Sequence, residues 1–137
     1  MKTNVEFKSD KFPPYEGEEE EVNPDLWGKR LAENLTVKLT EKGIEIGEIY
    51  AEDWGWGIPV KNEAFQMWIG CGHYQEYPNG YLVFVQPSKP LIRKGLFKKI
   101  DTTTDVERVT KAIDEILNAD PEIRDFKWWD EGKMIAD

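Results

Sequence analysis

Apolar and polar residues alternate with changing period along this chain of 137 residues, and the changes of period divide it into elements. In "NVEFKS", residues 4–9, Val5 and Phe7 alternate with polar neighbours, which predicts a short strand. From Asn23 and Pro24, a helix start signal, to Gly43 the period becomes helical. Trp27, Leu31, Leu35 and Leu39 share one face there, predicting a helix over about 24–42. "GIEIGEIYAED" returns to period two, with Ile44, Ile46 and Tyr50 in phase and Ile49 opposite. Trp56, Ile58 and Val60 alternate, "KNEA" supplies turn residues and "FQMWIGCGHY" resumes extended structure, so a hairpin is expected. "YPNG" makes the next turn, and "YLVFVQP" is apolar on both faces, as an interior strand ending at Pro87 should be. Val106, Val109, Ile113, Ile116 and Leu117 then line one side of a second helix, which Asp120 and Pro121 stop. "IRDFKWWD" is read as a last strand before a polar tail.

This order predicts an α+β fold: one antiparallel or mixed sheet with two helices on one face, in the order β-α-β-β-β-β-α-β. The order is related to a ferredoxin-like plan with an enlarged central meander. The length suits one domain, residues 1–137. "DKFPPYEGEEEEV", about residues 10–22, is expected to be an extended, solvated acidic connector, because two prolines and the run Glu18 to Glu21 neither continue a strand nor resemble core.

Charge narrows the partners. The chain carries a net charge of −9, which opposes binding to polyphosphates, so no nucleic acid is expected. The balance is uneven. Residues 86–99, "QPSKPLIRKGLFKK", hold Lys89, Arg93, Lys94, Lys98 and Lys99 and no acid, and read as a basic loop on an acidic body. No long apolar run or apolar leader is present, so no membrane partner and a cytoplasmic location are expected. A single cysteine and a single histidine leave no thiolate-rich or His-rich metal site, and no phosphate-binding glycine loop is seen, so neither metal nor cofactor is expected.

Few residues offer chemistry. "EDWGWGIP", residues 52–59, places Glu52, Asp53, Trp54 and Trp56 around two glycines at a strand end. One reading is a structural corner in which Asp53 or Glu52 accepts an indole N–H, and the other is a protein-binding surface. As an acid–base pair Glu52 and Asp53 are weak candidates, since neighbours in a strand point to opposite faces. Cys71 and His73 share a strand face and form the one conceivable nucleophilic pair, but Cys71 also continues the apolar face of Met67 and Ile69. On the other face of that strand Trp68 stands beside Gly70 and Gly72, which would leave a flat groove unless a helix packs there. Trp128 and Trp129 must face opposite ways, so one of them is expected outside the core.

"AEDWGW", "MWIGCGHYQEYPNGYLVFVQP" and "DPEIRDFKWW" together resemble the markers of a family of small, mostly uncharacterised bacterial proteins, across residues 51–129. In size and acidity the chain is also similar to immunity proteins, which neutralise toxins by covering an active site. That resemblance implies a non-enzymatic binding or inhibitor protein that covers a basic partner, with Glu52, Asp53, Trp54, Trp56, Trp68 and Trp128 as candidate contacts. The alternatives are a small enzyme using Cys71 and His73 or Glu52 and Asp53, and a purely structural domain.

Overall fold

The computed structural model of the chain describes residues 1–74 and 78–131. The first residue of the expected "YPNG" turn and nearly all of the polar tail therefore lie outside the described residues. The elements are β1 (Lys2–Lys8), α1 (Lys29–Glu41), β2 (Tyr50–Glu52), β3 (Gly55–Val60), β4 (Met67–His73), β5 (Gly80–Gln86), β6 (Leu91–Lys94), β7 (Lys98–Asp101), α2 (Thr103–Ala119) and β8 (Arg124–Asp130). A turn of 3₁₀ helix, Glu18–Glu20, lies between β1 and α1. Six strands form one sheet in the order β2-β3-β4-β5-β1-β8, with every neighbouring pair antiparallel. The fold is α+β, with the expected order of strands and helices around one additional hairpin.

Period-two patterning explains how the sheet buries one face. Val5, Phe7, Trp56, Ile58, Val60, Met67, Ile69, Cys71, Tyr81, Val83 and Val85 are buried and join one cluster with both helices. The helices contribute Leu31, Ala32, Leu35 and Leu39 from α1, and Val106, Val109, Ala112, Ile113, Ile116 and Leu117 from α2. The cross-strand partners Gly70 and Phe84, and Asn4 and Trp129, lie on the opposite face. One strand in from the β8 edge of the sheet, β1 is enclosed between β5 and β8, and the Met1 amine just before it meets the Asp130 carboxylate at 2.7 Å. No helix among the described residues is long and apolar enough to cross a membrane.

Three local expectations are corrected. Helix α1 begins at Lys29 with Gly28 as its N-cap, not at Pro24, because its cap comes from elsewhere in the chain. The strand expected across residues 44–53 shrinks to Tyr50–Glu52 and a lone bridge between Ile46 and Val60. The basic loop is structured: β6 and β7 pair as a separate hairpin, with Ile92 and Ile100 packed on the main core.

Candidate functional site

The corner at residues 52–59 is built by close approach of main chains. Glu52 pairs with Gly55, so Asp53 and Trp54 form the turn between β2 and β3. Gly55 adopts φ 144°, and a Cβ there would overlap the Cys71 carbonyl oxygen of β4. Alternation then sends the two tryptophans of the motif to opposite sides. Trp54 lies on the sheet face away from the helices, 5.6 Å from Trp68 and 5.2 Å from Phe84 between ring centroids, while Trp68 and Phe84 are 5.5 Å apart. All three rings are half-buried.

The flat groove expected beside Trp68 does not exist in that form. The Phe84 ring occupies the space a side chain at Gly70 would need, and the Trp54 carbonyl oxygen lies 2.8 Å from where a Cβ of Gly72 would be. Glycine here admits aromatic packing from the neighbouring strand, and what remains is an aromatic cluster. Neither the Trp54 nor the Trp68 indole N–H has an acceptor among the described residues, in contrast to Trp27, Trp56 and Trp128. Tyr50 on the adjoining strand has its hydroxyl pKa pushed up by burial and then by the nearby Glu52 carboxylate.

Trp56 faces the other way, and its expected role is corrected. It is 4% exposed, in the core, and it donates its indole N–H to Glu18 Oε2 at 2.9 Å. The acceptor is thus neither Glu52 nor Asp53, which are both exposed. Glu18 is 2% exposed and is no part of a solvated run. Its Oε2 also accepts the main-chain N–H groups of Gly28 at 2.8 Å and Lys29 at 3.0 Å, and Oε1 accepts that of Tyr15 at 2.9 Å. One carboxylate therefore caps the start of α1, closes the connector on itself and fixes Trp56. Sequence reasoning missed this residue because it caps from ten positions upstream, where no local capping pattern can mark it.

Trp128 is also corrected as an exposed anchor. It is half-buried on the helix side, donating to Asp114 of α2 at 2.8 Å, whereas Trp129 is on the open face yet only 9% exposed.

The Cys71 and His73 pair is not assembled for catalysis. His73 Nδ1 lies 2.7 Å from the Asp25 carbonyl oxygen and Nε2 lies 3.1 Å from that of Pro78, so both ring nitrogens face main chain. The imidazole also stacks on Trp27 at 3.7 Å between centroids. Cys71 is fully buried, and burial pushes its thiol pKa up, away from the thiolate a nucleophile requires. Labelling by a thiol reagent should be slower in the native protein than in the unfolded chain by on the order of a hundredfold or more. Measuring the rate with and without denaturant checks this, and equal rates would restore the thiol as a candidate.

No family model, curated protein or solved structure matches the chain. Its own geometry is therefore the guide. The main chain of Asn23 donates to the Asp53 carbonyl oxygen at 2.9 Å, which ties the acidic connector to the β2–β3 turn. Glu19, Glu20, Glu21, Asp25, Glu52 and Asp53 are consequently gathered, all exposed, at the same end of the sheet as Trp54. None of them joins an ion pair among the described residues.

Proposed function

We propose that the protein is a non-enzymatic binding protein of the inhibitor or immunity type, and that Trp54, Trp68 and the carboxylates Glu52 and Asp53 recognise a basic protein partner. The observation that supports this most is the junction just described, where unpaired acids border a half-exposed aromatic cluster. Aromatic side chains supply contact area at low entropic cost, and acids around them steer a cationic surface and disfavour polyanions. The similarity in size and acidity to immunity proteins agrees with this reading, and a cytoplasmic location is part of the proposal. Trp56 and Trp128 leave the contact surface, since their indoles are committed to Glu18 and Asp114.

Charge and aromatic contacts should separate kinetically. Reversing Glu52 and Asp53 to lysine is expected to slow association with the partner by about tenfold at low salt, while Trp54→Ala with Trp68→Ala should mainly speed dissociation. The measurement is affinity capture from the source cell at two salt concentrations, followed by stopped-flow mixing of the captured protein with each variant. A captured protein whose association ignores both salt and charge reversal would refute the proposal.

A further inference from the structure

Among the described residues the β6–β7 hairpin carries the most exposed large apolar side chains, and the acidic, aromatic end does not account for them. Its tip is Gly95, Leu96 and Phe97, with Leu96 82% and Phe97 98% exposed. Gly95 turns the chain at φ 76°. Lone exposed apolar residues are ordinary, but two adjacent ones at a projecting tip are not.

The root of the hairpin is fixed. Ile92 and Ile100 pack on the core, Thr102 Oγ1 donates to the Lys89 carbonyl oxygen at 2.6 Å, and the Thr102 N–H donates to that of Pro90 at 2.8 Å. The tip is thus held out by an anchored base.

Directly behind the tip, like charges are placed opposite one another. Arg93 pairs across the strands with Lys99, and Lys94 with Lys98, an arrangement that disfavours the hairpin in isolation. No described carboxylate forms an ion pair with any of the four, although Asp101 stands at the hairpin base and Lys94 donates to the Ala64 carbonyl oxygen at 3.3 Å. Lysines do guard exposed strand edges against pairing with other chains. That role gives no reason for Leu96 and Phe97 to be presented between them.

We propose that this hairpin is a peripheral membrane-docking element: Leu96 and Phe97 enter the interfacial layer of an anionic bilayer, and Arg93, Lys94, Lys98 and Lys99 engage its headgroups. Alternation puts Arg93 and Lys99 on one face of the hairpin and Lys94 and Lys98 on the other. Cations thus stand on both sides of a convex apolar tip. A laterally uniform anionic surface satisfies both sides at once, and a bilayer accepts a convex apolar tip without a preformed pocket.

The lack of a long apolar run, from which no membrane partner is expected, bears on spanning a bilayer and not on peripheral docking. The net charge of −9 does oppose a polyanion for the molecule as a whole. Its reach is limited to a Debye length of about 10 Å at 0.1 M salt, comparable with the ~13 Å span of a four-residue strand. The acidic corner at Glu52 and Asp53 also lies at the other end of the sheet strands. Strand β3 begins at that corner, while β5 ends at Gln86 and leads into the hairpin. Docking through the tip therefore leaves Glu52 and Asp53 at the end of the strands away from the lipid, although Glu131 lies nearer, bonded to Gln86 and Ser88.

Vesicle flotation tests this with the whole chain. The protein should float with mixed phosphatidylcholine–phosphatidylglycerol vesicles, not with phosphatidylcholine alone, and binding should fall as salt rises. Leu96→Ser with Phe97→Ser should lower partitioning by at least about tenfold. Lys98→Glu with Lys99→Glu should lower it by on the order of a hundredfold. All four positions are exposed, so unchanged circular dichroism and unfolding midpoint confirm that each variant is folded. Equal binding to neutral and anionic vesicles, or no effect of the serine pair, would overturn the proposal. So would tighter binding to duplex DNA or polyglutamate than to anionic vesicles, which would point to a nucleic-acid or acidic protein partner.

Discussion

Replacing Glu18 with alanine should destabilise the protein by about 3–5 kcal/mol, a large fraction of the ~5–15 kcal/mol that holds a typical domain folded. The carboxylate receives four donors, the main-chain N–H groups of Tyr15, Gly28 and Lys29 and the indole of Trp56. Removing it leaves the Trp56 indole and the Gly28 N–H without an acceptor in a dry setting, and the first turn of α1 loses its cap. Glu18→Gln retains one carbonyl oxygen but turns an NH₂ group toward a donor, so it should recover about half of the loss. Glu19→Ala and Glu20→Ala, at exposed neighbours in the same run, should stay within about 0.5 kcal/mol of the parent. Denaturant titrations of the four variants check the whole series. If Glu18→Ala behaved like Glu19→Ala, the carboxylate would not be the clamp described.

Gly55→Ala should be comparably severe, at about 3–5 kcal/mol. The substituted residue would have to hold φ 144°, a conformation that costs an L-residue roughly 1–3 kcal/mol. Its Cβ would also overlap the Cys71 carbonyl oxygen, a main-chain atom of an interior strand that has no freedom to swing aside. Asp53→Ala, two residues away, is the informative contrast. Its side chain is exposed, and only its main-chain carbonyl is used, so about 0.5 kcal/mol or less is expected. A normal unfolding midpoint for Gly55→Ala would show that β3 can move away from β4 and that the corner is not rigid.

These two residues mark where the sequence was legible and where it was not. The period of Val106, Val109, Ile113, Ile116 and Leu117 identified α2, because one buried face repeats within the element itself. Strict alternation likewise placed Met67, Ile69 and Cys71 on the core side of β4 and Trp68 on the other. Glu18 was hidden because its burial depends on Gly28, Lys29 and Trp56, which are distant in sequence, and nothing in "EGEEEE" distinguishes one glutamate from the next. The start of α1 was misplaced for the same reason, since Asn23 and Pro24 imitate a local start while the effective cap arrives through space. The hairpin at Leu91–Asp101 was obscured by charge: four cations in its short strands suppress the apolar alternation that reveals strands elsewhere. Of the residues proposed as contacts, the exposure of Glu52 and Asp53 and the placing of Trp68 off the core face follow from residue type and alternation. The commitment of Trp56 and Trp128 to internal acceptors required the three-dimensional arrangement.

The enclosure of β1 between β5 and β8 bears on how the chain acquires its structure. Lys2 is opposite Asp130 and Asn4 is opposite Trp129, so hydrogen bonds along that seam join nearly the two extremes of the described chain. During synthesis β1 emerges long before β8 exists, and until then one of its edges presents unpaired main-chain groups to anything nearby. The meander from β2 to β5 needs only short turns and can form early. Closing the seam means joining a very large loop, a cost in chain entropy that local pairings do not carry. The topology therefore sets a half of the sheet with short-range closures against a half whose closure requires the last strand.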